Sequence, residues 1–99
     1  MPNQMRPIHP GEILREEMEE LRLSARQLAK ALGVPTNRVT GLVNETRALT
    51  ADTALRLARY FGTSPEFWLN LQVAYELRRD QQERGARIAQ EVVPRAQAS

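Results

Sequence analysis

The chain has 99 residues, of which 41% are hydrophobic and 26% are charged, a composition that suits one compact domain with a single core. It contains no cysteine and one histidine, which excludes a disulfide framework and a thiolate metal site, and we expect no cofactor. No run approaches the roughly 20 apolar residues that span a bilayer, and Met1–Pro10 lacks the apolar middle of a secretion signal. We therefore expect a cytoplasmic protein with no membrane partner.

Charge is divided between two parts of the chain, although the formal net charge is only +2. Residues 12–20 contain five glutamates and one arginine, whereas every charged residue from Arg22 to Asn44 is basic. The sequence pI near 9.7 permits nucleic-acid binding without requiring it. The acidic run falls on the first predicted helix, which opens at Pro10, and we expect its glutamates to face water, with partner binding as the alternative. The apolar side of this helix carries Ile13, Leu14, Met18 and Leu21.

Four more helices are predicted because apolar residues recur three and four apart, and no segment shows the alternation of a half-buried strand. The second helix starts with a capping box, in which the side chains of Ser24 and Gln27 accept hydrogen bonds from each other's backbone amides. It ends at Gly33. The third helix runs from about Pro35 to near Asn44.

The fourth and fifth predicted helices have equally clear boundaries. Thr50 caps the fourth, which stops at Gly62, where a left-handed residue costs little. Ser64 caps the fifth, and Pro65 is its first helical residue.

The character of the sequence changes after Leu77. Residues 78–84 are nearly all polar, Gly85 interrupts the helical pattern, and residues 94–99 lack large apolar groups. We expect this tail to be flexible. The alternative is a single amphipathic turn that orders on a partner and is formed by Ile88, Val92 and Val93.

The spacing of residues 25–46 predicts a helix-turn-helix motif. Two helices joined by a three- or four-residue turn at about 90 to 120° approach each other closely, so the first helix needs a small residue there, which is Ala29. Gly33 permits the positive backbone angle of the turn, and Val34 fills the gap between the helices. The alternative is a pair of short helices that simply packs within a bundle. The inner faces of the two helices carry Leu28, Leu32, Val39 and Leu42.

The third predicted helix has an outward polar row without acidic groups, as a helix entering the major groove of DNA requires. In its first turn, where a recognition helix meets base edges, Asn37 can form two hydrogen bonds with adenine and Thr36 can contact a thymine methyl group. Gly41 would allow close approach to the DNA. Asn37 is the first choice for a base-reading residue. The predicted row consists of Thr36, Asn37, Thr40, Gly41 and Asn44.

Further residues are predicted to contact DNA phosphates, which positions a protein without reading the base sequence. For Arg47 a solvated loop charge is the alternative. The set comprises Ser24, Arg26 and Gln27 near the start of the second helix, Arg38 on the third helix, and Arg47 in the following loop.

The fifth predicted helix is apolar around more than one face. One face can join the core, and we expect the remainder to form a homodimer interface, because exposed apolar patches on small proteins usually mark contact surfaces. Two helix-turn-helix copies about 34 Å apart would read a pseudo-palindrome. The alternative is that this helix is merely central in the core. The predicted interface comprises Trp68, Leu69, Val73, Tyr75 and Leu77.

Several stretches carry a resemblance to known families. The helical order with QLAKALGV at residues 27–34 resembles Xre/Cro-like repressors over about Gly11 to Leu77. More specific are IHPGEIL at residues 8–14, LTADTALRLARYFGTSPEFWLNLQ at 49–72 and YELR at 75–78, which together resemble HigA-type antitoxins. The resemblance implies an all-α, five-helix Cro/lambda-repressor-like domain at 10–79, with an N-terminal arm at 1–9 and a polar, partly disordered tail at 80–99.

The same resemblance implies two partners. One is a HigB-type toxin, an endoribonuclease that cuts messenger RNA on the ribosome, and the other is the operator DNA of the toxin-antitoxin operon, which a homodimer would repress. The first helix, with its glutamates, and the chain termini are candidates for the toxin contact. Family members often carry Asn-Gly at the end of the reading helix, whereas here Asn44 is followed by Glu45, which puts one phosphate contact in doubt.

Four alternatives to this function can be compared with the residues present. An enzyme is disfavoured because His9 has no second histidine or cysteine beside it and is better explained as a helix cap before Pro10. A metal site at Glu16 and Glu20, four residues apart, is disfavoured because both glutamates lie on the predicted solvent face. A regulator of unrelated genes without a toxin partner fits the same fold, and so does a protein-interaction module that has lost DNA binding.

Overall fold

The computed structural model describes residues 6–96, which form five α-helices and contain no strand. The all-α class predicted from the apolar spacing is confirmed. None of these five helices has the length and apolar content that crossing a bilayer requires. In chain order they are α1 Pro10–Leu21, α2 Ala25–Leu32, α3 Thr36–Val43, α4 Ala51–Phe61 and α5 Pro65–Glu91.

Short-range hydrogen bonds fix where the helices begin. The Ser24 hydroxyl accepts from the backbone amide of Gln27 at 3.1 Å, and the Gln27 side-chain oxygen accepts from the amide of Ser24 at 2.9 Å. Thr50 and Ser64 cap α4 and α5 with their hydroxyl oxygens. The predicted caps are confirmed, because each depends only on residues within one turn.

The ends of three helices adopt the left-handed conformation. Gly33 has φ 72° after α2 and Gly62 has φ 74° after α4, as predicted, while Arg22 takes φ 57° after α1. This turn at Arg22 explains why the prediction of Leu21 on the apolar side of α1 is wrong. Leu21 is 53% exposed, and Leu23 packs against the core instead.

The approach of α1 to α3 depends on a glycine. A Cβ atom placed on Gly11 would lie 1.7 Å from the backbone oxygen of Leu42, so only glycine fits at this crossing. His9 caps α1, as predicted, and its Nδ1 atom accepts from the amide of Gly11 at 2.9 Å. The crossing therefore holds α3 directly against the start of α1.

The core lies between all five helices. Its buried members include Leu14 of α1, Leu57 of α4 and Trp68 of α5. The indole nitrogen of Trp68 donates to the Thr63 hydroxyl at 2.9 Å, so the buried ring has no unpaired donor. The remaining buried apolar residues are Met18, Leu28, Ala29, Leu32, Val39, Leu42, Leu49, Ala54 and Ala58.

The fifth helix is longer than the sequence predicted. It continues through residues 80–91, where we expected a loose polar tail. Gly85 is not enough to end it, because glycine costs a helix only about 1 kcal/mol and Arg87 pairs with Glu91 one turn later. Val92 and Val93 lie beyond the helix and are exposed. The flexibility predicted for the tail stays a prediction, and residues 97–99 and 1–5 lie outside the described part of the chain.

Candidate nucleic-acid interface

The predicted helix-turn-helix is present in α2, α3 and the three residues between them. The amide of Gly33 donates to the Lys30 carbonyl at 3.2 Å, and the amide of Val34 donates to the Ala29 carbonyl at 3.0 Å, which closes the turn. The inner faces are buried, so the apolar side of α3 is held against the domain. The side chains that lock the pair are Leu28, Ala29, Leu32, Val39 and Leu42, each 6% exposed or less.

The predicted reading row lies on the opposite side of α3. Thr36, Asn37 and Asn44 are exposed, and Thr40 and Gly41 are half-buried. No acidic residue occurs from Thr36 to Asn44, so this side of the helix can approach the phosphate-lined groove without charge repulsion. The contacts of these residues with bases stay a prediction.

The loop after α3 folds back onto the helix at Gly41. The amide of Thr46 donates to the Gly41 carbonyl at 2.9 Å, and a Cβ atom on Gly41 would meet Arg47 Cβ at 3.2 Å and Nε at 3.4 Å. Gly41 thus makes room for the Arg47 side chain, a role that the sequence did not indicate. Arg47 is thereby placed beside the reading row, as a phosphate-contacting residue would need to be.

The start of α2 presents three of the predicted phosphate-contacting residues. Ser24, Arg26 and Gln27 are all exposed. The capping box uses the side-chain oxygen atoms of Ser24 and Gln27 as acceptors. The hydroxyl proton of Ser24 and the side-chain NH2 group of Gln27 can therefore donate to other partners. The free backbone amides of this helix turn add a partial positive charge that suits phosphate.

Arg38 has a partner within the protein that the sequence did not reveal. Its guanidinium donates to the carboxylate of Asp52, in the first turn of α4. Asp52 also accepts from Arg56, and its pKa is lowered by the hydrogen bonds from Arg56 first and Arg38 second. The Asp52 carboxylate is therefore ionised at neutral pH and can accept hydrogen bonds from both arginines.

Two residues near the C-terminal end of α3 also shape this surface. Arg15 of α1 donates to the Val43 carbonyl at 3.0 Å, which places a cation at the negative end of the helix dipole. Arg15 and Val43 are 28 positions apart, so no local pattern could have shown the contact. Glu45 adopts φ 61°, a left-handed conformation that favours glycine.

His9 lies behind this surface rather than on it. It is 3% exposed, and its ring meets the ring of Tyr75 edge to face at 4.8 Å between centroids. Burial lowers the pKa of His9, and the nearby charge of Glu45 acts more weakly in the opposite direction. Burial therefore favours the neutral imidazole, and the hydrogen bond from the amide of Gly11 to Nδ1 places its single proton on Nε2.

The predicted dimer surface on α5 needs one correction. Trp68 is 1% exposed and belongs to the core of the monomer, because its side of the helix faces α4, so the prediction that it lies at an interface is wrong. Val73 and Leu77 are 60% and 58% exposed, and Leu69 is half-buried one turn earlier on the same face. Tyr75 is half-buried, where it packs against His9.

Comparison with known proteins agrees with this geometry. The helix-turn-helix family model matches residues 14–68, which places the chain in the class of helix-turn-helix DNA-binding proteins. The chain is also 54% identical over 83 residues to virulence-associated protein I of Dichelobacter nodosus, an alignment that covers 83% of this chain and 77% of that protein.

Two solved structures narrow the class. The addiction module antidote protein of the HigA family from Coxiella burnetii superposes with a TM-score of 0.89 at 60% identity, covering 92% of this chain and 100% of that one. The antitoxin HigA of Pseudomonas aeruginosa, solved with the higBA promoter, gives a TM-score of 0.88 at 47% identity, with 92% and 100% coverage. The chain belongs to the HigA family of antitoxins.

Proposed function

We propose that this protein is an antitoxin that represses its own operon as a homodimer and neutralises a HigB-type ribonuclease toxin. The observation that carries the DNA-binding part is the exposed, acid-free row on α3, from Thr36 to Asn44, on a helix whose other side is locked into the core. The structure of a relative solved with promoter DNA also supports the DNA-binding part, and membership of the HigA family supports the toxin-binding part.

In this proposal α3 enters the major groove and its first turn reads base edges. Asn37 is the principal reader, since its amide can both donate to and accept from adenine. Arg26 and Arg47 contact phosphates on either side of the reading row and set the position of the helix in the groove. Ser24 and Gln27 add hydrogen bonds from the start of α2. These contacts would be direct and need no cofactor.

Dimerisation is proposed to use the exposed face of α5. Leu69, Val73 and Leu77 follow one another at intervals of four residues, so they form a continuous apolar stripe along the helix. A stripe of this kind pairs with its own copy about a two-fold axis, and two reading helices then address two half-sites of one operator. We accordingly assign residues 10–79 to DNA binding and dimerisation, with 1–9 and 80–99 as flanking segments.

The protein is proposed to act by binding alone, without catalysis, in the cytoplasm where its operator is found. Among residues 6–96, no three histidine, aspartate or glutamate side chains come together in a way that could hold a metal ion. The exposed glutamates of α1 supply the negative charge that a ribonuclease with a basic RNA-binding surface would meet.

The DNA-binding proposal is tested by a gel-shift titration at about 150 mM salt. One duplex is the DNA directly upstream of the protein's own gene, and the other is the same sequence scrambled. We expect a preference of about a thousandfold or more for the upstream DNA. Equal affinity for the two duplexes would contradict autoregulation.

The toxin-binding proposal needs a separate test. A ribonuclease gene next to this one is co-expressed with it, and the complex is isolated by a tag on the antitoxin. Restored growth together with a stable complex is the expected result. Growth arrest that persists in the presence of the folded protein would favour the second candidate function, a stand-alone helix-turn-helix regulator, which has the same fold and DNA surface.

A further inference from the structure

One carboxylate ties three helices together beside the reading row. Oδ2 of Asp52 accepts from Arg38 Nη1 at 2.5 Å and from Arg56 Nε at 2.9 Å. Arg56 also donates through Nη1 to the Leu32 carbonyl at the end of α2, at 2.9 Å. The cluster thus joins the last turn of α2, the first turn of α3 and the first turn of α4.

The position of Arg38 makes this pairing informative. Arg38 follows Asn37 directly and lies in the first turn of α3, where the helix dipole disfavours a positive charge. Asp52 lies in the first turn of α4, where the dipole favours a negative one. The pairing compensates the unfavourable placement of Arg38 and orients its side chain.

Stability is a poor explanation for the cluster. The side chains of Arg38 and Asp52 are 30% and 55% exposed, and ion pairs at such surfaces contribute little to folding. What the cluster does change is the charge available to DNA, since one carboxylate offsets one of the two guanidinium charges. Non-specific binding to DNA depends on the number of cations that reach phosphates.

We propose that Asp52 is a positioning residue for operator recognition, which holds Arg38 in one orientation beside Asn37 and keeps it from binding phosphates of any sequence. This inference rests on the proposed function as an operator-binding protein. On correctly docked operator DNA, Arg38 contacts the DNA from this fixed orientation. On other DNA, the pair with Asp52 reduces the attraction. Asp52 therefore raises selectivity by weakening non-specific binding.

The test compares Asp52→Asn with a matched control, Glu91→Gln. Each change removes one carboxylate that is paired with an arginine four residues away, but Glu91 lies at the far end of α5. Affinities for the upstream and scrambled duplexes are measured by fluorescence anisotropy from about 0.1 to 0.4 M salt, and circular dichroism checks that each variant folds.

For Asp52→Asn we expect tighter binding to the scrambled duplex by about fivefold per protomer at 0.15 M salt, which is one additional phosphate contact with a salt slope of about 0.9. The preference for the upstream duplex falls accordingly. Glu91→Gln leaves both slope and preference near those of the wild type. Asp52→Glu and Arg56→Gln retain a carboxylate for Arg38 and should keep most of the preference.

Two variants of Arg38 extend the test, and the single variant keeps the proposal testable if Asp52→Asn folds poorly. Adding Arg38→Gln to Asp52→Asn should restore the wild-type salt slope on the scrambled duplex. Arg38→Gln alone should weaken operator binding more than scrambled binding, because the wild-type Arg38 is withheld from scrambled DNA. Equal losses on both duplexes would overturn the proposal.

The failure of this inference differs from failure of the proposed function. If the wild type shows no preference for the upstream duplex, the proposed function is wrong. If the wild type shows the preference but Asp52→Asn changes slope and preference no more than Glu91→Gln does, Asp52 is not a positioning residue.

Discussion

The crossing of α1 over α3 gives a sharp prediction for Gly11→Ala. The added Cβ would lie 1.7 Å from the oxygen and 2.6 Å from the carbon of the Leu42 carbonyl, and backbone atoms cannot rotate away as a side chain can. The helices must separate by more than 1 Å to restore an ordinary contact. Such overpacking costs about 3 kcal/mol or more, while alanine recovers about 1 kcal/mol of helix propensity, so we expect a net loss of about 2 kcal/mol.

The measurement is urea unfolding followed by circular dichroism, with Gly85→Ala as the matched control. Apart from its chain neighbours and the backbone of its own helix, no atom lies within 4 Å of a Cβ placed on Gly85, which is also helical. There the same substitution should leave stability unchanged or raise it by up to about 1 kcal/mol. In a domain of this size, the loss in Gly11→Ala corresponds to a midpoint about 8 to 16 °C lower in thermal unfolding. A Gly11→Ala protein as stable as the wild type would refute the argument from the close contact.

Four further outcomes are expected. Asn37→Ala weakens operator binding by about 1 to 3 kcal/mol and relaxes the preference at one base pair, whereas Arg26→Ala weakens binding to all duplexes alike. If Asn37→Ala instead lost the same affinity for every sequence, Asn37 would not be a base reader. Glu45→Gly stabilises the fold by about 0.5 to 1 kcal/mol in urea unfolding, because glycine adopts φ 61° without strain, and it tightens DNA binding in the same anisotropy assay by removing a negative charge. The pKa of His9 is lowered in the folded protein, so its contribution to stability is complete above the unfolded pKa near 6.5 and declines as the pH falls below that value. Thermal unfolding midpoints measured from pH 7.5 to 5.5 should show this decline. The variant His9→Asn, which can still cap α1, should show a smaller decline.

Local features of the fold were predictable because their causes are local. The capping box of Ser24 and Gln27 and the left-handed Gly33 each depend on a few neighbouring residues, and the structure has them where the sequence placed them. The reading row was predictable for a similar reason, because the apolar residues of α3 lie on one side and its polar residues therefore lie on the other.

Contacts between distant residues were not predictable from one sequence. The sequence does not show why residue 11 must be glycine, because the Leu42 carbonyl that requires it lies on another helix. The sequence indicates a phosphate contact for Arg38 but not its ion pair, because Asp52 comes 14 positions later. Trp68 read as an interface residue because periodicity shows that a helix has two apolar faces without showing which one the core takes. The length of α5 was underestimated because Gly85 and the polar run lack an apolar pattern, and a helix does not need one to continue.

The length of α5 affects how the oligomeric state should be measured. A helix of 27 residues measures about 40 Å, and the molecule extends 57 by 24 by 24 Å. A rod-like monomer elutes from a gel-filtration column ahead of a sphere of equal mass, so its retention volume would imitate that of a rounder dimer. Sedimentation equilibrium reports mass without regard to shape, and it is the method by which the monomer and the proposed homodimer of this protein can be distinguished.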